Sequence, residues 1–196
     1  MSSVPISTPM VIYVKVLGVV CSPRLGGNTE ILVGEALGGA KAKGADVELE
    51  TLSGKQIRPC DHCGACYETG ECHIKDDMEE IYKQILGADG VILGSPVYFW
   101  SVSAQAKSVI DRTYALRYPS LRLRDKIGGA IAVAGRRGQL EALTVINNFF
   151  LGQEMIPACL GVDGCGSEKE EIREDTPPME QAKSLGARIV ELATKR

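Results

Sequence analysis

The sequence predicts an α/β protein in which helices cover both faces of a parallel sheet. Short apolar runs rich in β-branched residues alternate with longer segments of helical periodicity, and this alternation repeats five times in 196 residues. Parallel strands need a crossover connection, so regular alternation of strand and helix favours a parallel sheet. A chain of this length is expected to form one domain with its own core.

The five predicted strands are mostly continuous apolar runs, as in strands buried on both faces. The second strand differs because apolar and acidic residues alternate along it, which indicates a more exposed strand. In chain order, the predicted strands are Tyr13–Val20, Asp46–Thr51, Gly90–Gly94, Lys126–Ala134 and Met155–Leu160.

The five predicted helices repeat apolar residues three or four positions apart. Gly44 terminates the first helix, and Asp76 or Asp77 supplies an N-cap for the second. In chain order, the predicted helices are Thr29–Lys43, the segment from this cap to Leu86, Ser101–Tyr114, Gln139–Leu151 and Pro177–Lys195. A parallel sheet of this size is most often flavodoxin-like, with strand order 2-1-3-4-5, and binds its ligand at the carboxyl ends of the strands.

The loop after the first strand leads into a helix N-terminus, where free backbone N–H groups attract an anion. The candidate phosphate-binding residues of this loop are Ser22, Arg24, Gly27, Asn28 and Thr29. Neither G-x4-G-K-[ST] nor G-x-G-x-x-G is present, so a monophosphate such as FMN fits better than a dinucleotide. The alternative is that serine and threonine side chains only cap the helix.

The loops after the third and fourth strands supply candidate contacts to a flat ring. Gly94–Trp100 carries three consecutive aromatic residues, which suit an isoalloxazine ring, and the loop after Ala134 adds glycine and positive charge. The candidate residues are Ser95, Pro96, Val97, Tyr98, Phe99, Gly135 and Arg136. The alternatives are aromatic residues of the core or of an interface, and a solvated turn.

Four of the seven cysteines follow a C-x2-C-x2-C-x5-C spacing: Cys60, Cys63, Cys66 and Cys72. Two residues between thiolates let one tight loop wrap three sulfurs around a single centre, as bacterial ferredoxins do around an iron–sulfur cluster. The spacing favours a [4Fe–4S] cluster, and zinc, redox-active thiols or disulfides are the alternatives. Of the other cysteines, Cys159 is expected to be buried on a strand and Cys165 to lie on an exposed loop.

Composition narrows the function classes. The net charge of −3 argues against a nucleic-acid-binding protein. Neither a signal peptide nor a membrane-spanning stretch is predicted, so the expected compartment is the cytoplasm and no membrane partner is expected. Residues 1–13 are interpreted as an N-terminal extension, and residues 14–196 as one domain with the cysteine loop at 60–72.

Three motifs together resemble the iron–sulfur flavoproteins of the NADPH-dependent FMN reductase superfamily. They are the Ser22–Thr29 loop, the spacing of the four cysteines, and Gly94–Phe99 followed by Lys107 and Asp111-Arg112. The resemblance implies one FMN and one [4Fe–4S] cluster per subunit, assembly into homo-dimers or tetramers, and electron relay between cluster and flavin. Ferredoxin or NAD(P)H is the expected electron donor.

The predicted function is therefore a flavin-dependent oxidoreductase that relays electrons between a [4Fe–4S] cluster and FMN to a small acceptor. Because the cofactors carry this chemistry, no catalytic side chain is predicted. Two alternatives remain open. One is an NAD(P)H-dependent FMN or quinone reductase with structural or redox-sensing cysteines, and the other is a pure electron carrier.

Overall fold

A parallel sheet forms the centre of the protein in the computed structural model, which describes residues 13–196. Apart from Tyr13, the predicted N-terminal extension lies outside the described residues. The strands are β1 (Lys15–Val20), β2 (Asp46–Thr51), β3 (Gly90–Tyr98), β4 (Ser101–Val102), β5 (Ile127–Ala134), β6 (Ile156–Pro157) and β7 (Val162–Cys165). The helices are α1 (Asn28–Ala42), α2 (Ala65–Thr69), α3 (Met78–Gly87), α4 (Ala104–Arg112), α5 (Gln139–Gly152) and α6 (Thr176–Ala193).

The sheet has the order β2-β1-β3-β5-β6, and all of these neighbours are parallel. Because β5 is the fourth predicted strand, this is the expected flavodoxin-like order 2-1-3-4-5. In register, Val20 at the end of β1 pairs with Gly94 of β3, and Gly94 pairs with Ile131 of β5. The carboxyl ends of these three strands consequently meet at one edge, where the predicted ligand loops begin.

The last predicted strand, Met155–Leu160, is correct only in part. Only Ile156–Pro157 pairs with the start of β5, after which the chain leaves the sheet and pairs again as β7 with the end of β5. Gly161, with φ +131°, allows the return. Cys159 lies in this excursion and is exposed, contrary to the expected buried strand position. Cys165 is exposed as expected, but it belongs to β7.

The segment after β3 also differs from the prediction. The loop expected after Gly94 is strand as far as Tyr98, and it turns back as the short antiparallel strand β4. The helix predicted over Ser101–Tyr114 therefore begins later, at the start of α4. Its N-cap is Ser103, whose Oγ accepts a hydrogen bond from the Ala106 N–H at 3.1 Å.

The helices form two layers. The α1 and α6 helices cover one face of the sheet and pack on each other, whereas α3, α4 and α5 cover the other face. Alternate side chains of the strands enter the two cores, so that Val16 and Ile92 face α1 and α6 while Leu17 and Leu93 face the opposite layer. Within residues 13–196, no helix has both the length and the apolarity to cross a lipid bilayer.

Glycine is required where α1 crosses α6. A Cβ atom at Gly39 would lie 2.0 Å from the Lys183 carbonyl oxygen, although the space around neighbouring Gly38 is open. We expect Gly39→Ala to lower the free energy of unfolding by about 1–3 kcal/mol through overpacking. The matched change Gly38→Ala is expected to raise it by about 0.5–1 kcal/mol. Chemical denaturation of both variants measures this, and equal effects would contradict the close helix contact.

Candidate functional site

A cleft of about 280 Å³ opens at the carboxyl ends of β1, β3 and β5. It lies where strand order reverses in a sheet of this kind, which is the usual ligand position. The structure brings nine of the predicted cofactor residues to this cleft: Ser22, Arg24, Gly27, Asn28, Thr29, Pro96, Val97, Tyr98 and Gly135.

One end of the cleft is the N-terminus of α1. The N-cap is Gly27, which has no side chain to cap the helix, and the first intrahelical bond runs from the Ile31 N–H to the Gly27 oxygen at 3.1 Å. The N–H groups of the first helical turn have no acceptor within the helix and carry the positive end of the helix dipole. Because Ser22 Oγ accepts a hydrogen bond from the Arg24 N–H at 3.1 Å, the loop turns tightly around this end. The arrangement is suited to an anion.

The side chain of Asn28 holds a neighbouring loop rather than pointing freely into the cleft. Its Nδ2 donates to the carbonyl oxygens of Gly166 and Glu168 at 3.2 and 2.8 Å, and its Oδ1 accepts from the Ile172 N–H at 3.4 Å. Glu171 closes the same loop by accepting two backbone N–H groups, which lower the pKa of its carboxyl. The side chain of Asn28 is therefore already engaged, and its backbone N–H at the start of α1 is the group that could contact an anion.

This second loop adds four cleft residues that the sequence reasoning missed. They are Gly166, Ser167, Glu168 and Lys169. These residues directly follow β7. Ligands lie beyond the carboxyl ends of the strands in such sheets, so a prediction of β7 would have identified these four residues.

The end of the cleft beside β3 is built on a buried hydroxyl network. Ser95 Oγ accepts the N–H of Ser103 at 2.9 Å and donates to the Pro96 oxygen at 2.8 Å. Ser103 Oγ in turn donates to the Cys21 oxygen at 2.7 Å. Ser95 is fully buried beneath the cleft. Ser95 holds Ser103, which in turn holds the loop after β1, and Ser95 does not line the cleft.

Two predicted contacts lie beside the main cleft. Phe99 and Arg136 line an open cavity of about 520 Å³ together with Val97, Trp100 and Arg137. Phe99 is 100% exposed at the tip of the β3–β4 turn. Phe99 and Trp100 have φ angles of +48° and +66°, where residues other than glycine are uncommon. The turn therefore holds two large aromatic rings at the mouth of the cleft in a costly backbone conformation.

The four clustered cysteines surround a separate small cavity of about 30 Å³. All four are free thiols, and left-handed glycines, Gly64 and Gly70, flank the short helix α2 between them. Burial raises the pKa of Cys66, and the other three thiols raise it further. The four cysteines therefore lie together around one cavity, and we call this group the cysteine nest.

A second set of donor atoms lies at the exposed side of the cysteine nest. The side chains of Asp61, Cys63 and His73 each place one donor atom within 4.8 Å of the other two. His73 Nε2 and Asp61 Oδ2 lie 2.7 Å apart, and this hydrogen bond is the main reason why the pKa of Asp61 is lowered. Such oxygen, sulfur and nitrogen donors suit a single ion, which leaves the zinc alternative open.

A buried ion pair closes the ends of the cysteine loop. Arg112 Nη1 and Nη2 contact the two carboxylate oxygens of Asp76 at 2.8 and 3.1 Å. They also donate to the Arg58 oxygen at 2.9 Å, before the loop, and to the Ile74 oxygen at 3.0 Å, after it. Burial alone would raise the pKa of Asp76, but the hydrogen bonds of Arg112 and of backbone N–H groups lower it overall.

Known proteins share both the fold and the sequence pattern of this chain. Residues 14–159 match the family of NADPH-dependent FMN reductases. An iron–sulfur flavoprotein of Methanocaldococcus jannaschii is 42% identical over 187 residues, covering 91% of this chain and 96% of that protein. An iron–sulfur flavoprotein of Archaeoglobus fulgidus is 36% identical over 191 residues, covering 92% and 97%.

Among solved structures, the WrbA-like flavodoxin protein of Agrobacterium tumefaciens superposes with a TM-score of 0.66 at 17% identity, covering 94% of this chain and 99% of that one. This likeness confirms the flavodoxin-like fold. The two sequence relatives also show the family, because they match nearly the whole chain at much higher identity. The chain therefore belongs to the iron–sulfur flavoproteins of the NADPH-dependent FMN reductase family and is a flavin oxidoreductase.

Proposed function

We propose that the cleft binds FMN, that the cysteine nest binds a [4Fe–4S] cluster, and that electrons pass between them to a small acceptor. The observation that carries this proposal is the presence of two distinct cavities in one chain. One is a cleft that includes the N-terminus of α1 at the carboxyl edge of the sheet, and the other is lined by all four clustered cysteines. When bound, the cluster exchanges single electrons and the flavin collects a pair.

The cleft fits FMN in its chemistry. The free N–H groups of α1, the hydroxyl of Thr29 and the guanidinium of Arg24 suit a phosphate group. Pro96, Val97 and Tyr98 provide the apolar and aromatic surface that a flat ring needs. We assign the phosphate of FMN to the first set and its ring to the second, with Phe99, Gly135 and Arg136 at the rim of the ring site.

The cysteine nest fits an iron–sulfur cluster better than it fits a disulfide framework. Its four thiols are free and line one cavity, and a four-iron site with cysteine ligands needs four such thiols. The group formed by Asp61, Cys63 and His73 supports a second candidate, an FMN reductase with a single metal ion and redox-sensing cysteines. That arrangement uses one of the four cysteines as a metal ligand and leaves the other three as free thiols.

We further propose a cytoplasmic homo-oligomer that receives electrons from ferredoxin or NAD(P)H. A reducing compartment keeps the four thiols available for iron. The aromatic side chains of Phe99 and Trp100, exposed beside the cleft, suit a subunit contact because large exposed aromatic residues are enriched at interfaces. Sedimentation analysis of the purified protein tests the oligomeric state.

The composition of protein purified without oxygen tests the proposed cofactors directly. We expect FMN to be released on denaturation, together with about four iron atoms and about four sulfide ions per chain. Zinc in place of iron, with FMN still present, would favour the second candidate. A protein that holds FMN and iron but reduces no acceptor with NAD(P)H, while exchanging electrons rapidly with ferredoxin, would instead be an electron carrier.

Thr29→Val tests the phosphate end of the cleft. Valine keeps the size and shape of the buried side chain but removes the hydroxyl donor. A hydrogen bond to a charged group contributes about 1.5–3 kcal/mol, so we expect FMN binding to weaken roughly 10–100-fold. Titration of the apoprotein with FMN measures this. The matched change Thr144→Val, on the exposed side of α5, is expected to leave binding unchanged, and an equal effect of both changes would contradict the assignment.

A further inference from the structure

Arg112 lines the same small cavity as the four clustered cysteines, although its side chain is 0% exposed. It reaches this position from the end of α4, and the Tyr82 hydroxyl fixes the helix end by donating to the Arg112 oxygen at 2.8 Å. A fully buried guanidinium is costly to desolvate, so the contacts of each of its nitrogen atoms are informative.

Only two of the three guanidinium nitrogens are engaged. Nη1 and Nη2 are committed to Asp76 and to the two carbonyl oxygens at the ends of the cysteine loop. Nε is buried and has no hydrogen-bond partner within residues 13–196. A buried donor without an acceptor costs about 1–3 kcal/mol, and such groups are rare in folded proteins. The Nε–H group is therefore available for an acceptor that enters the cavity.

The cavities around the guanidinium point to Cys72 as the acceptor. Cys72 lines the small cavity together with Arg112, and it also lines a neighbouring cavity together with Tyr82, whose hydroxyl contacts the Arg112 oxygen. The Ile74 oxygen that Nη2 contacts lies only two residues after Cys72. The Cys72 sulfur therefore lies on the side of the cavity where the buried cation is held.

We propose that Arg112 is a positioning residue for the cluster, whose Nε–H donates a hydrogen bond to the Cys72 sulfur and whose charge makes the cluster easier to reduce. This inference rests on the proposed [4Fe–4S] cluster. Reduction adds one electron from an external reductant, such as dithionite, and breaks no bond. The added negative charge is stabilised by a nearby cation, and hydrogen bonds to cluster sulfurs are among the factors that set the reduction potential.

The reduction potential of the cluster in Arg112→Lys tests this role. Lysine retains a positive charge but has no Nε–H group and cannot make the same forked contacts. We expect the ratio of oxidised to reduced cluster at the wild-type midpoint to rise threefold to tenfold, a negative shift of about 30–60 mV. The control Arg188→Lys, on the exposed side of α6, should leave the potential unchanged. An unchanged potential in Arg112→Lys with full iron content would overturn the inference.

If Arg112→Lys fails to retain its cluster, a measurement on wild-type protein tests the proposed hydrogen bond instead. Protein grown with ¹⁵N-arginine and then reduced should show a ¹⁵N hyperfine coupling to the cluster in pulsed electron paramagnetic resonance. A spectrum without that coupling would refute the hydrogen bond. These outcomes differ from failure of the proposed function, because wild-type protein that contains no iron–sulfur cluster removes the basis of both proposals.

Discussion

Replacement of Cys63 by serine is expected to remove most of the iron and sulfide from the protein while FMN remains bound. Serine keeps the size of the side chain but supplies a hydroxyl, which is a much poorer ligand for iron than a thiolate. Cys63 is exposed on the loop, so the change leaves no cavity in the core. The cleft proposed for FMN shares no lining residue with the cavity of the cysteine nest. Iron, sulfide and flavin analyses of anaerobically purified protein measure the outcome.

Cys159→Ser is the matched control for this experiment. Cys159 is also an exposed free cysteine, but it lies in the excursion between β6 and β7 and does not line the cavity of the cysteine nest. We expect its replacement to leave the iron content unchanged. Full retention of iron in Cys63→Ser would show that this cysteine is not a ligand, and the proposed ligand set would then be wrong.

The second large effect is expected for Asp76→Ala, which leaves the buried guanidinium of Arg112 without its counter-ion. Removing one partner of a buried ion pair costs about 3–5 kcal/mol. Arg124 and Glu154 form a comparable pair at 2.6 Å, with 56% and 51% of their side chains exposed. We expect Glu154→Ala to cost at most about 1 kcal/mol. Chemical denaturation of both variants provides the comparison.

The effect of Asp76→Ala on the free energy of unfolding should depend on pH. The pKa of Asp76 is lowered in the folded protein, and that of an aspartate in an unfolded chain is about 3.9. The carboxylate therefore stabilises the fold fully above the unfolded value, and this contribution is lost as the pH falls through the folded pKa. The difference in unfolding free energy between wild type and Asp76→Ala should narrow below about pH 4. A difference that stays constant through this range would contradict the role of the charged pair.

Local sequence signals are sufficient for most of the fold. The β1, β2 and β5 strands are apolar or alternating runs, and their predicted starts or ends agree with the structure to within two residues. The candidate cleft follows from the same signals, because the loops after β1, β3 and β5 lie at the carboxyl edge once the strand order is known. The spacing of the four cysteines likewise indicates a shared centre, because it depends only on residues that are close together in the chain.

The features that the sequence did not reveal depend on contacts between distant residues. Val162–Cys165 contains an aspartate and a glycine and has weak strand propensity, so only its pairing with β5 makes it a strand. Because β7 was not predicted, the cleft residues from Gly166 to Lys169 were not predicted either. Arg112 resembles an ordinary residue near the end of a helix, and its burial against the cysteine loop is a property of the folded chain.

The divided last strand has a consequence for the behaviour of the protein at high concentration. A long, flat strand at the border of a sheet presents a row of unpaired amide groups on which another chain can add a strand. Here the border consists of two stubs, Ile156–Pro157 and Val162–Cys165, separated by an outward excursion and carrying a proline. An incoming chain would find no continuous template at this border, so the broken strand disfavours the addition of a strand on this side of the sheet.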